Sequence, residues 1–252
     1  GDGIDTVTLG DFASTVNGGT GADVISAAVI TANKAVSING GDGNDTITFG
    51  VASATSTYDG GNGDDAFTLN GNTKLVGNVI GGAGTDTITF GGNYDVSGNT
   101  FTLSGIEVIN VAASNGVNTF FASQLTGQTL NIVGNDTSDS ITVNPTTTGT
   151  ATALNLSGVN HNVGTATAGV ATYGLTIVGS TAADNIIGSK GNDTIRVGNA
   201  VGANNGGADV LAGGGGNDVF YIMGNTSAAN GGNATTYATG FNITDFTVGT
   251  TA

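Results

Sequence analysis

Short apolar runs with a period of two recur along the chain, and many of them directly follow a glycine-rich turn. Within residues 1–90, the apolar positions of four such runs are Val7 and Leu9, Ile47 and Phe49, Phe67 and Leu69, and Ile88 and Phe90. Threonine occupies most of the positions between them. This alternation is typical of a β-strand that buries one face, and threonine suits the pleated surface of a strand. The pattern predicts short strands at regular intervals, with the apolar side chains facing inward.

The turns before these runs share one pattern: two glycines, any residue, a third glycine, any residue and an aspartate. The first copy lacks its opening glycine, and the sixth-position aspartates are Asp5, Asp23, Asp45, Asp65 and Asp86. The steps between these aspartates are 18, 22, 20 and 21 residues. A nonapeptide of this type, with a large apolar residue two positions after the aspartate, builds a parallel β-roll with about eighteen residues per coil. The spacing therefore predicts one motif per coil, with the motif turns aligned along one edge.

Residues 91–178 lose the motif but keep strand-like apolar runs. These runs cover residues 101–103, 106–109, 130–133, 141–143, 154–156 and 175–178, and a degenerate turn ends at Asp139. Two interpretations remain open at this point. The segment is either a metal-poor continuation of the solenoid or a β-sandwich-like insert.

The motif returns after Gly179 in two closely spaced pairs of turns. Asp184 and Asp193 are 9 residues apart, as are Asp209 and Asp218, and the two pairs are 25 residues apart. This spacing predicts a roll with motif turns on both edges and a surplus loop around residues 198–203. We therefore expect a first roll at residues 1–90, the β-rich segment 91–178, and a second roll at 179–252 that includes a terminal strand at 246–248.

The composition indicates that the aspartates bind a metal. The chain has 252 residues, 46 glycines, one proline, no cysteine and a formal net charge of −15. Of its 19 acidic residues, Glu107 is the only glutamate. Solubility alone would use both acids, whereas hard cations such as calcium take carboxylate and carbonyl oxygens. The bias towards aspartate at one fixed position of a turn therefore favours a ligand role over simple punctuation between strands.

The pattern of the turn explains how it could bind calcium. Glycine allows the backbone to bend through positive φ, which a residue with a Cβ resists. The bend turns backbone carbonyls inward, and the aspartate closes the turn with its carboxylate. One turn supplies too few oxygens for a cation that takes 6–8 of them. We therefore expect each ion to lie between two successive coils.

These repeats resemble those of RTX (repeat-in-toxin) proteins, over roughly residues 1–90 and 179–221. Residues 103–111 and 241–246 resemble, more weakly, segments of RTX-type bacterial S-layer proteins. The resemblance implies an all-β fold, a right-handed parallel β-roll or β-helix solenoid with calcium-binding turns. It also implies type I secretion, folding on calcium outside the cell and self-assembly into a lattice.

The resemblance further implies a set of calcium (Ca2+) ligands. The side-chain candidates are Asp5, Asp23, Asp45, Asp65, Asp86, Asp184, Asp193, Asp209 and Asp218. The backbone-carbonyl candidates are Gly18, Thr20, Gly40, Asp42, Gly60, Asn62, Gly81, Ala83, Gly188, Lys190, Gly213 and Gly215. Asp184 lacks the glycines of the family pattern, and those before Asp209 are offset.

Residues that would support catalysis or nucleic-acid binding are scarce. The single His161 cannot build a two-histidine zinc motif, no cysteine is present, and Ser104 and Ser157 lack the rest of a Gly-x-Ser-x-Gly pattern. Four basic residues cannot neutralise a phosphate track, and no apolar run approaches the ~20 residues of a membrane span. We therefore expect no enzymatic activity, no nucleic-acid partner and no membrane span in this chain.

Three functions remain as hypotheses. The first is a calcium-stiffened building block of an extracellular surface layer or filament, whose partners are copies of itself and, through a part outside this chain, a cell-surface polysaccharide. The second is a secretion and folding module, or adhesin stalk, of a larger RTX toxin or enzyme. The third is ice binding through outward threonines, although Val24 and Ala66 interrupt their rows. All three place the protein outside a bacterial cell and predict a chain that stays unfolded until calcium binds.

Overall fold

A computed structural model describes residues 1–31, 34–50, 55–69, 76–91, 101–111, 117–134, 140–145, 150–161, 174–197, 208–222 and 242–245. The chain divides into two compact units. The first unit contains residues 1–118, 130–139 and 162–164, and the second contains residues 119–129, 140–161 and 165–252. Among the described residues, strands predominate, and one helix, α1 (Ala122–Leu125), is four residues long.

The first unit consists of two sheets of parallel strands. Sheet 1 contains, in spatial order, β1 (Thr6–Thr8), β3 (Val24–Ser26), β5 (Thr46–Thr48), β7 (Ala66–Leu69), β9 (Thr87–Phe90), β11 (Val108–Asn110) and β13 (Asn131–Val133). Sheet 2 contains β2 (Ser14–Thr20), β4 (Val36–Asp42), β6 (Thr57–Asn62), β8 (Gly77–Ala83) and β10 (Phe101–Ser104). The chain passes from each strand of sheet 2 to the next strand of sheet 1 through a three-residue turn, so all these turns lie on one edge.

The second unit is also built from two parallel sheets. Sheet 3 contains β12 (Val117–Phe121), which begins before the unit boundary, followed by β14 (Ser140–Asn144), β17 (Leu175–Val178), β19 (Thr194–Val197) and β21 (Val219–Ile222). Sheet 4 contains β15 (Ala153–Asn155), β18 (Asn185–Ile187), β20 (Val210–Ala212) and β22 (Asn242–Ile243). The short strand β16 (Asn160–His161) also belongs to this unit. Because β17, β18 and β19 alternate between the sheets, motif turns lie on both edges.

One inward row of apolar side chains holds sheet 1 together. Parallel pairing places Val7, Ile25, Ile47, Phe67, Ile88, Ile109 and Ile132 in a single line. All of these side chains except Val7 are buried. A solenoid buries such a row continuously, because each coil covers the apolar face of its neighbour. The sequence prediction of an all-β parallel solenoid is confirmed.

Strands from the segment 91–178 continue the same stacking. β10 pairs in parallel with β8, and β11 pairs in parallel with both β9 and β13. These described strands therefore extend sheets 1 and 2. The predicted boundaries at residues 90 and 178 stay a prediction.

Three predicted features lie outside the described residues. They are the degenerate turn that ends at Asp139, the surplus loop at residues 198–203 and the terminal strand at residues 246–248. Among the described residues, no helix is long and apolar enough to cross a membrane.

An aromatic cluster fills the third and fourth coils. The ring of Phe49 meets that of Tyr58 edge-on at a centroid distance of 4.5 Å, and it stacks on Phe67 at 5.9 Å. Tyr58 is fully buried and, among the described residues, its hydroxyl has no hydrogen-bond partner. Burial accordingly raises the pKa of the Tyr58 phenol, because the charged form would lose its hydration.

Replacing Tyr58 with phenylalanine should therefore stabilise the protein. The substitution keeps the ring and removes a buried hydroxyl whose desolvation is uncompensated, so we expect a gain of about 1 kcal/mol in the free energy of unfolding. Urea unfolding at saturating calcium measures it, with Phe67→Ala as a control that should lose about 3–5 kcal/mol. A less stable Tyr58→Phe protein would show that the hydroxyl does have a partner.

Candidate calcium-binding turns

Glycines at positive φ shape the turns of the first unit. The second-position glycines Gly19, Gly41, Gly61 and Gly82 have φ of 112°, 116°, 109° and 114°. The fourth-position glycines Gly21, Gly43, Gly63 and Gly84 have φ of 117°, 128°, 129° and 135°. A side chain with a Cβ is strained in this region, so both positions need glycine. The sequence-based expectation of a bend through positive φ agrees with this geometry.

The sixth-position aspartates form a ladder that runs from coil to coil. The Oδ1 atoms of Asp23, Asp45 and Asp65 each accept, at 2.7 Å, the backbone N–H of the ladder aspartate in the preceding coil. The Oδ1 atom of Asp86 accepts the N–H of Asp65 in the same way at 2.8 Å. The backbone carbonyl of each ladder aspartate accepts an N–H from the next coil, donated by the residue that follows the aspartate of that coil. Thr46, which follows Asp45, donates in this way to the carbonyl of Asp23 at 2.8 Å. Each carboxylate is therefore fixed by the coil before it.

The second carboxylate oxygen in this ladder has no partner. The Oδ2 atoms of Asp23, Asp45, Asp65 and Asp86 are buried and lack any hydrogen-bond donor among the described residues. An unsatisfied buried polar group costs about 1–3 kcal/mol, and more when it is charged. A cation bound beside these four oxygens would compensate them.

The space next to each of these oxygens is lined by backbone carbonyls. A Cβ placed on Gly60 would lie 2.7 Å from both Cγ of Asp65 and the carbonyl oxygen of Gly81. Cβ atoms placed on Gly18 and Gly40 would likewise collide with the Oδ2 of their own aspartate and with the first glycine carbonyl of the next coil. Carboxylate and carbonyl oxygens thus face one small space between successive coils. These residues fit calcium, which takes oxygen ligands.

The backbone carbonyls at the third position of the turns accept hydrogen bonds from a neighbouring coil. Thr20, Asp42 and Asn62 each accept the N–H of a fourth-position glycine of the preceding coil at 2.7 Å, and Ala83 does so at 2.8 Å. A carbonyl oxygen has two lone pairs, so this bond leaves one free for a cation. Their role as ligands stays a prediction.

Acidic side chains alone could not complete these sites. Among the described residues, no three histidine, aspartate or glutamate side chains converge on one point. A cation between two coils would therefore draw most of its ligands from the backbone. This explains why the exact course of the turns matters as much as the aspartates.

Glu107 ends the ladder, which the sequence analysis did not predict. Its Oε2 accepts the N–H of Asp86 at 2.8 Å, the relation that each aspartate has to its predecessor. The signal in the sequence is its place two residues before the inward Ile109, at the end of the β10–β11 turn that contains Gly105 at φ 60°. Glu107 thus adds a further carboxylate beside the backbone of Asp86.

Burial and stacking of like charges weaken the acidity of the ladder. Burial, together with repulsion from the neighbouring carboxylates of Asp86, Asp45 and Asp59, raises the pKa of Asp65 to about 6. Burial likewise raises the pKa of Asp45 and of Asp86, with added repulsion from Asp23 and Glu107 respectively. The calcium-free turns are therefore electrostatically unfavourable at neutral pH, and a bound cation would relieve this.

One turn of the second unit has the same glycine geometry. In the turn that starts at Gly213 and ends at Asp218, Gly214 and Gly216 have φ of 92° and 94°. The Oδ1 of Asp218 accepts the N–H of Asp193 at 2.8 Å, and burial raises the Asp218 pKa. Asp245 adds a further carboxylate here, because it accepts the N–H groups of Gly213 and Gly214 at 2.9 and 2.8 Å.

Asp209 takes part in a second ladder on the other edge of this unit. Its Oδ1 accepts the N–H of Asp184 at 2.8 Å, and Asp184 accepts the N–H of Thr152 at 2.7 Å. Burial raises the pKa of Asp209. Residues 204–207, which complete the turn before Asp209, lie outside the described part of the chain.

The remaining two turns of the second unit have a different geometry. Their second position is serine, and both oxygens of the following aspartate are hydrogen-bonded within the turn. Ser180 contacts Asp184 in this way, and Ser189 contacts Asp193. The predicted carbonyl ligands Gly188 and Lys190 belong to the second of these turns, where the N–H of Lys190 donates to the carbonyl of Val159 at 3.0 Å.

Comparison with protein families identifies the repeat. The RTX calcium-binding nonapeptide repeat matches the chain in four copies, at residues 1–28, 33–51, 176–199 and 205–221. The chain therefore contains RTX repeats, a repeat family that binds calcium. Comparison with curated proteins and comparison with solved structures each returned no match. The turns at Asp65 and Asp86 lie outside the matched residues, yet they share the geometry of the matched turns at Asp23 and Asp45, and Glu107 continues the same ladder of hydrogen bonds.

The carboxylate of Asp45, but not that of Asp42, should be needed for calcium binding to the RTX turns. Asp45→Asn removes the charge at a buried, unpaired oxygen, so we expect calcium affinity to fall at least tenfold, about 1.4 kcal/mol. Asp42→Asn changes net charge equally, but its side chain is exposed and accepts a bond from Asn62 Nδ2 at 2.8 Å. Calorimetric titration of both proteins with calcium measures the difference. Equal losses would show that only net charge matters.

The raised pKa of Asp65 predicts opposite pH effects on the metal-free and calcium-loaded protein. Because the folded state holds this proton more tightly than the unfolded chain, the resulting stability is full below the ordinary value of 3.8 and is lost as pH rises through about 6. Metal-stripped protein should therefore gain β-structure, seen by circular dichroism, as pH falls from about 7 to 5. Calcium affinity should fall over the same interval, because protons compete with the cation.

The variant Asp65→Asn serves as the control for this titration. It removes the carboxylate whose raised pKa generates the prediction, so both pH effects should become smaller. A metal-free protein that instead loses β-structure on mild acidification would contradict the assignment.

Proposed function

We propose that this protein is a calcium-dependent, self-assembling structural component of an extracellular surface layer or filament. The single observation that carries the proposal is the row of buried, unpaired carboxylate oxygens at Asp23, Asp45, Asp65 and Asp86. Such a row destabilises the folded state where calcium is scarce and stiffens it where calcium is abundant. It suits a chain that is exported before it folds.

Charge supports this order of events. The chain carries a formal net charge of −15, and the ladder stacks several of its carboxylates within one edge. At the low calcium concentration of a cytosol, repulsion and desolvation both oppose the folded state. Outside the cell, calcium binding contributes its free energy to folding, so export and folding are coupled.

The outer face of sheet 1 supports contacts between copies. In-register pairing aligns the side chains of Thr8, Ser26, Thr48, Thr68 and Thr89 in one outward row. From β1 to β9 this row is uncharged and carries a hydroxyl on each strand. A regular array of neutral donors and acceptors suits many weak contacts between identical molecules, without the repulsion that a net-negative surface would cause.

The same row favours ice binding as a second candidate function. The sequence analysis noted interruptions at Val24 and Ala66, and both fall in the other outward row, beside Thr6, Thr46 and Thr87. One hydroxyl row is therefore continuous and the other alternates with apolar groups. Thermal hysteresis of a calcium-loaded solution tests this candidate directly, and its absence would remove it.

Electron microscopy with and without millimolar calcium tests the structural role. We expect ordered sheets or filaments with calcium and dispersed chains in chelator. The double variant Asp45→Asn/Asp65→Asn should fail to assemble, whereas Asp42→Asn/Asp64→Asn, with the same change of charge at exposed positions, should assemble. Dispersed wild-type monomers in both conditions would overturn the proposal in favour of a secretion module or stalk of a larger protein.

A further inference from the structure

The turns of the second unit differ at one position that decides how the aspartate is satisfied. In the first unit, the turns that end at Asp23, Asp45, Asp65 and Asp86 have a glycine at positive φ as their second residue, and the Oδ2 of the aspartate has no partner in the described structure. In two turns of the second unit, that residue is Ser180 or Ser189. The Oδ2 atoms of Asp184 and Asp193 each accept a hydrogen bond there.

The serine backbone supplies the first of these bonds. The N–H of Ser180 donates to Oδ2 of Asp184 at 2.7 Å, and the N–H of Ser189 donates to Oδ2 of Asp193 at 2.6 Å. Serine has a Cβ, which disfavours the positive φ that glycine adopts at this position of the other turns. The amide hydrogen therefore points at the oxygen that stays unpaired in the glycine turns.

The serine side chain supplies the second bond. The hydroxyl of Ser180 donates to Oδ1 of Asp184 at 2.6 Å, and that of Ser189 lies 2.9 Å from both oxygens of Asp193. Each hydroxyl oxygen then accepts an N–H from two residues further on, Ala182 at 3.0 Å and Gly191 at 3.2 Å. The N–H and hydroxyl groups of the turn itself thus hydrogen-bond the aspartate that ends it.

The side chain of a histidine also packs against the turn that ends at Asp193. The side chain of His161 is 4% exposed, and its Nε2 lies 3.6 Å from Oδ1 of Asp193. A Cβ on Gly191 would lie 3.0 Å from Cδ2 of this ring. The imidazole therefore packs against the turn beside the carboxylate and takes up space next to Oδ1 of Asp193.

We propose that Ser180 and Ser189 take the place of calcium in these two turns, so that Asp184 and Asp193 bind no ion although their sequence matches the calcium-binding repeat. Each carboxylate receives donors from the serine amide and the serine hydroxyl, and that of Asp184 also accepts the backbone N–H of Thr152. A cation would have to displace them and reverse the serine peptide. The proposal rests on calcium binding by the glycine turns and is independent of self-assembly.

Counting the calcium ions bound per full-length chain, by native mass spectrometry and equilibrium dialysis, tests the proposal. Ser189→Gly should add one ion, because glycine can adopt positive φ and free Oδ2 of Asp193. Ser189→Ala is the matched control: it also removes the hydroxyl but keeps the Cβ, so the count should stay unchanged. An extra ion in the alanine variant, or none in a folded glycine variant, would overturn the role of the backbone.

A second pair of variants decides the matter if Ser189→Gly does not fold, as judged by circular dichroism at saturating calcium. Asp193→Asn should leave the number of bound ions unchanged, whereas Asp45→Asn should lower it by one. Loss of an ion from the Asp193→Asn protein would show that this turn binds calcium and would refute the proposal. Neither outcome depends on whether the protein forms sheets or filaments.

Discussion

The structure depends on a row of buried carboxylates that the protein alone leaves half-satisfied. One oxygen of each aspartate holds the backbone of the preceding coil, and the other has no donor in the described first unit. The first bond connects successive coils, and the second oxygen is left for a cation to compensate. Because the same side chain does both, the proposed calcium binding would be coupled to folding.

Glycine makes this arrangement possible in two ways. At the second and fourth positions it allows positive φ, as at Gly41 and Gly43, and so orients the backbone of the turn. At the first position, as at Gly40, it leaves room for the carboxylate and the next carbonyl to approach. A single Cβ at any of these places alters the turn, and the serine turns of the second unit illustrate one such outcome.

The two kinds of turn satisfy the aspartate in different ways. Where Gly41 or Gly61 occupies the second position, Oδ2 of the aspartate has no donor in the described structure, whereas Ser180 and Ser189 provide donors within the turn. The chemistry of one backbone position thus distinguishes turns that a repeat pattern groups together. On the proposal that the serine turns bind no ion, the coils with serine turns can keep local order while the glycine turns are free of calcium.

The sequence by itself determined the strands, the turns, the parallel solenoid and the position of each ladder aspartate, because these follow from short-range periodicity and glycine geometry. It did not reveal that Glu107 ends the ladder, that His161 packs on Asp193, or that one outward hydroxyl row is unbroken. Those facts depend on which residues meet across coils of unequal length, with steps from 18 to 25 residues. Register between coils is fixed by tertiary packing, and only the folded structure decided it.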